Sequence, residues 1–155
     1  MKIFRVKAFL LLLATLFLLE CEDMPYMHVQ GGLRPRFVFH GSHVSYLLVY
    51  RVPPKYINVG IPVDALEKDV ANKQWLIEGE HDAKLPIDYG VNPPGMKEVI
   101  PPKALVEGVV YMVQAYMGSG DIGANAGQNF MIKNGSVVEI YDLVDKKTLS
   151  PAQSN

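Results

Sequence analysis

VVYMVQAYM, residues 109–117, is the stretch on which the fold turns. It is apolar on both of its alternating faces, which predicts a strand covered on both sides and central in its sheet. Downstream, 128–133 and 136–141 flank Asn134-Gly135, two residues that tolerate positive φ and so predict a hairpin. Upstream, RFVFHGSHVSYLLVYRV at 36–52 places Val44, Tyr46, Leu48, Tyr50 and Val52 at a period of two, with Leu47 and Val49 on the opposite face. Bounded by Gly41 and Pro53, this predicts a long interior strand preceded by a shorter one at RFVF. QWLIE at 74–78 holds the only Trp and reads as a further strand. Short strands follow at 85–89, closed by Gly90 and the Asn92-Pro93-Pro94-Gly95 turn, and at 97–100 before Pro101-Pro102. Leu66 and Val70, four apart, with Asp64 as a cap, predict one or two helical turns within 55–73. Gly118 to Gly127 reads as a glycine-rich loop.

The result is seven or eight short strands separated by turns, an all-β sandwich spanning 34–145, with a polar tail at 146–155. The absence of alternating long helices excludes a doubly wound sheet. With one cysteine in 155 residues no internal disulfide can form, so packing alone holds the domain together.

The first 21 residues have a different character. Lys2, Arg5 and Lys7 precede AFLLLLATLFLL at 8–19, an apolar run of 12 residues. A membrane-spanning helix needs roughly 17–25 residues, so this run predicts an export signal over 1–20. No small-residue cleavage pattern follows it. LLEC at 18–21 resembles the bacterial lipobox, Leu-x-(small)-Cys, with Glu20 standing where a small residue is the rule. The resemblance implies diacylglycerol on the Cys21 thiol, loss of 1–20 and a flexible tether over 21–33 (CEDMPYMHVQGGL). Two other outcomes stay open: a free or buried Cys21 in a normally cleaved protein, and an uncleaved anchor should Glu20 block processing. Lipidation and the uncleaved anchor both tie the domain to a membrane. Without 1–20 the chain carries 12 basic and 15 acidic residues, a balance that argues against a nucleic-acid partner.

Leu105-x-x-Gly108-x-x-Tyr111-x-Val113 is similar to the tyrosine corner of fibronectin type III and related immunoglobulin-like sandwiches. The resemblance implies a structural role: the Tyr111 hydroxyl pins the loop entering its strand, supported by Leu105. It also implies an immunoglobulin-like sandwich lacking the antibody-type disulfide.

The chemistry-bearing residues are sparse. Gly118-Ser-Gly120-Asp-Ile-Gly123 spells G-x-G-x-x-G, but ANAGQNFMIKNG follows it, which predicts turn and strand where a dinucleotide site needs a helix N-terminus. Gly118, Asp121 and Asn125 are the candidate ligand positions of that loop; as a calcium site it lacks the bidentate Glu. His40 and His43 flank a turn and are the weak metal candidates, two ligands where a site needs three or four. Ser42 beside His43 has no orienting third group. No cofactor is expected. These readings predict a non-enzymatic, membrane-anchored lipoprotein of the cell envelope that contacts another envelope protein. The alternative is a small-ligand or carbohydrate-binding domain using the 118–127 loop.

Overall fold

The computed structural model of the protein describes residues 26–57, 61–119 and 122–141. Among these residues nine strands form: β1 (Tyr26–Gly31), β2 (Pro35–His40), β3 (His43–Arg51), β4 (Lys73–Asp82), β5 (Ile87–Asp88), β6 (Met96–Ile100), β7 (Val110–Ser119), β8 (Ile122–Lys133) and β9 (Ser136–Ile140). One helix, α1 (Val63–Lys68), and two single 3-10 turns lie between β3 and β4. Every pairing is antiparallel, in two sheets: β1-β2-β5, and β6-β4-β3-β7-β8-β9. The chain is an all-β sandwich.

The inner faces meet in one core. Met27, Val29, Phe37 and Phe39 come from the small sheet; Leu47, Val49, Trp75, Ile77, Val113, Ala115 and Phe130 come from the large one. The stretch at 109–117 is apolar on both faces for a visible reason. Its strand, β7, sits between β3 and β8, and the outer face of the large sheet is itself partly covered. Ile57 and Tyr56 close over Val52, Val110, Met131 and Ile140, while Ile61 and Leu66 pack on Leu48, Tyr50 and Leu76. The inner face of β7 is buried and its outer face, with Met112, Gln114 and Tyr116, is half-buried, so apolar residues recur on both faces.

Four expectations are corrected. The tether does not run to Leu33: Tyr26–Gly31 is the edge strand β1, paired with β2 from Tyr26↔His40 to Gly31↔Pro35. Met27 and Val29 point into the core while Tyr26, His28 and Gln30 alternate outward, a period of two inside a polar-looking segment. Within the expected glycine-rich loop, 118–119 and 122–127 are strand, since β7 and β8 stay in register through Gly118↔Gly123 to Ser119↔Ile122. Glycine and alanine offer little to pack, which hides a strand from its composition, yet they do not prevent backbone pairing.

Val44 does not share a face with Tyr46. The register shifts between them against both β4 and β7, and this bulge turns Val44 inward beside Leu47 and Val49. Finally, only Ile87–Asp88 of the 85–89 stretch is strand. The hairpin at Asn134-Gly135 forms as expected, with φ of 54° and 74° and Lys133 paired to Ser136.

Candidate functional site

The corner residues come together. Leu105 is buried in the core. Gly108 adopts φ 77°, a conformation that disfavours any side chain, and its N–H donates to Ile132 O at 2.8 Å. Val106 N–H donates to the Tyr111 hydroxyl at 2.8 Å, across five residues. The Tyr111 ring stacks on Phe130 with centroids 5.6 Å apart, and Phe130 meets Phe37 edge-on. Burial pushes the Tyr111 hydroxyl up, against the opposing pull of the Val106 bond and Arg51. Tyr111→Phe leaves the Val106 N–H without its acceptor and is expected to cost about 1–3 kcal/mol of unfolding free energy. Equilibrium denaturation of the two proteins measures it; equal midpoints would remove the corner's role.

Of the expected ligand loop, 118–119 and 122–127 are strand. Gly118 and Asn125 lie within paired strands, and Asp121 lies outside the described residues, as do Cys21 and the whole export segment. His40 and His43 flank the turn between β2 and β3, but His40 pairs with other partners. Its ring stacks on Tyr26 at 4.1 Å and meets His28 edge-on at 5.7 Å. His81 is buried, with Nε2 3.0 Å from Leu85 O. Among the described residues, no group of three or more His, Cys, Asp or Glu side chains is arranged to hold a metal ion. No helix of the described residues is long and apolar enough to cross a membrane.

What the structure adds is a difference between the sheet edges. β1 and β9 are the edges on one side of the sandwich, and Glu139 joins them. Its carboxylate accepts the Val29 N–H at 2.5 Å and the Tyr141 hydroxyl, and lies 3.5 Å from His28 Nδ1. Burial alone would raise the Glu139 carboxyl; the bonds from Tyr141, Val29 and His28 outweigh it and hold the group below the ordinary range. The opposite edge of the large sheet, β6, has β4 as its single strand neighbour among the described residues. Lys97, Glu98 and Val99 are exposed along it, Val99 by 48%. Nothing in the sequence distinguished 97–100 as an edge, because pairing order is not a local property.

A second feature lies on the outer face of the large sheet. Tyr46 pairs with Tyr116 across β3 and β7, and the same row continues to Glu78 on β4 and Asn125 on β8. One row further along, Gln114 pairs with Gly127. Burial first, then the Glu78 carboxylate, push the Tyr46 hydroxyl up to about 12. Tyr50 is likewise raised to about 12, by burial and by donating to Asp69 at 3.1 Å. Both are raised above the unfolded value near 10, so their contribution to stability is complete below pH 10. It is lost as pH climbs from about 10 to about 12. Tyrosinate absorbance and circular dichroism followed together are expected to change in concert across that window. Ionisation of all the tyrosines near pH 10 with the fold intact would contradict this.

No protein-family model, curated protein or solved structure matches the chain.

Proposed function

We propose that the chain is an exported lipoprotein, anchored through Cys21, whose immunoglobulin-like sandwich is a non-enzymatic protein-interaction module of the bacterial cell envelope. The observation that carries the interaction reading is the β6 edge. An edge strand presents backbone donors and acceptors to an incoming extended segment, and side chains along it select the partner. Of the large sheet's two edges, β9 is joined to β1 through Glu139, whereas β6 carries an exposed Val99 between charged residues and Pro101-Pro102. Lys97 and Glu98 suit it to selective pairing rather than to self-association, since edge charges oppose strand stacking.

The immunoglobulin-like type draws support from connectivity. The first two strands share a sheet, and β3, β7 and β8 are consecutive in the other, the arrangement of strands C, F and G in such domains. The Val106–Tyr111 bond at the start of β7 is where a tyrosine corner belongs.

A photo-cross-linking side chain at Val99 in the membrane-bound protein is expected to capture another envelope protein. The same group at Lys133, on the far hairpin, is expected to capture none of it. Failure to recover any protein from position 99 would sink the edge reading.

The runner-up, a small-ligand or carbohydrate-binding domain, moves from the 118–127 loop to the sheet face beside it. The Tyr46–Tyr116 pair flanked by Glu78, Asn125 and Gln114 combines ring faces with amide and carboxylate groups, the elements that bind a polar ring. Retention of the wild type on an immobilised glycan and its loss in Tyr116→Ala would favour this reading over the edge.

A further inference from the structure

With β1 beginning at Tyr26, the expected tether shortens from the thirteen residues 21–33 to the five residues 21–25, and this decides how an anchored sandwich stands on its membrane. Between Cys21 and Tyr26, where β1 begins, there are only Glu22, Asp23, Met24 and Pro25. Five Cα steps span at most about 18 Å when fully extended. β7 alone, at ten residues, is about 30 Å long. The leash is therefore shorter than the domain, and the end of the sandwich to which it is tied has to stay near the lipid.

That end is well defined. Tyr26 lies opposite His40, and the 41–42 turn joins His40 to His43. His43 pairs with Asp82, and Ala83 N–H donates to Ser42 O at 3.2 Å, which brings the 82–86 turn alongside. Tyr26 is 47% exposed there and Leu85 57%. Exposure by itself does not choose an end, because Leu33 and Val106 at the opposite end are also exposed. The chain chooses it. The described charges around the two turns are Lys84 and Asp82, which offset each other, so the contact is interfacial and apolar rather than a basic patch on anionic lipid.

We infer that the end of the sandwich carrying Tyr26, the 41–42 turn and the 82–86 turn lies on the membrane surface, with Tyr26 and Leu85 in the interfacial layer. A tyrosine, with an apolar ring and a polar tip, is suited to that layer. The inference rests on the anchored reading above. It leaves the Asn134-Gly135 hairpin, Leu33 and Val106 directed away from the lipid.

The test uses the full, acylated chain reconstituted into vesicles of phosphatidylethanolamine and phosphatidylglycerol that carry headgroup spin-labelled lipid. Acylated Cys21 is unavailable to thiol dyes, so Lys84→Cys and Lys133→Cys each accept a single fluorophore. The label at 84 is expected to lose most of its fluorescence and the label at 133 to retain it. The same contrast is expected in vesicles of phosphatidylcholine. Replacing Leu85 by Glu in the Lys84→Cys protein is expected to return part of the lost signal. Equal quenching at 84 and 133, or the reverse order, with the protein still floating with the vesicles, would overturn the orientation while leaving the anchor intact. Protein that does not float with the vesicles at all would overturn the anchored reading, and this inference with it.

Discussion

Gly79→Ala is expected to lower the unfolding free energy by about 2–6 kcal/mol, combining backbone strain with overpacking. Gly79 adopts φ 143°, a region that side chains rarely enter, where β4 carries the edge strand β6. A Cβ there would overlap the carbonyl oxygen of Gly95 and press on Met96 Cα, both of them backbone. No rotamer change relieves such a contact. The β4–β6 ladder must open, and the Glu80 N–H bond to Gly95 O, 3.1 Å long, opens with it. Gly108→Ala is the comparison. Gly108 also has a positive φ, 77°, but nothing lies within 4 Å of an added Cβ, so its cost is expected to be about 1 kcal/mol. Denaturant midpoints of the two variants separate strain from close approach; equal losses would refute the packing argument. Hydrogen exchange is also expected to show β6 unprotected in Gly79→Ala, and this variant should lose cross-linking at position 99 if the edge carries the partner.

Trp75→Ala is expected to cost about 3–5 kcal/mol, the range for removing a fully buried large aromatic. The indole packs between the sheets, 6.5 Å from the Phe37 ring on β2 and 5.3 Å from Tyr89, which follows β5. Tyr89 in turn places its hydroxyl 2.7 Å from Lys103 O, so the loop from β6 to β7 is held through the same cluster. Trp75 Nε1 is buried without a hydrogen-bond partner among the described residues. Trp75→Phe therefore sacrifices no hydrogen bond, keeps most of the packing and removes an unsatisfied donor. It is expected to be clearly milder than Trp75→Ala. If Phe and Ala proved equally destabilising, the indole N–H would have an acceptor after all.

The candidate surfaces were less readable in the residues than the fold was. Glu139 looks like any surface carboxylate between Val138 and Ile140, and its bond to Val29 joins residues 110 positions apart. Tyr46 and Tyr116 are visible as strand aromatics, but that they are neighbours depends on the register of β3 against β7 and on the bulge after Val44. His40 and His43 are near neighbours in sequence, whereas strand pairing places the His40 ring against Tyr26 and His28. Metal-type and contact-type groupings follow tertiary neighbours, and short-range spacing is a poor guide to them across strands.

Local chemistry by itself determined that the chain is all-β and where most strands run. Period-two apolar runs, Pro and Gly stops, and an Asn-Gly turn each act within a few residues. The bond of the Tyr111 hydroxyl to upstream backbone, implied by the resemblance to a tyrosine corner, is also local, closing over five residues to Val106. Tertiary structure alone decided that 26–31 is a strand, that 118–119 pair with 122–123, and which edge of the large sheet has a single strand neighbour among the described residues. Each of these depends on a partner strand far away in the chain: β2 for β1, β7 for the glycine-rich segment, and the order of six strands for β6. That only four residues separate Cys21 from the sandwich follows from the first of these. A weakly apolar segment becomes a strand only when a core is present to receive Met27 and Val29.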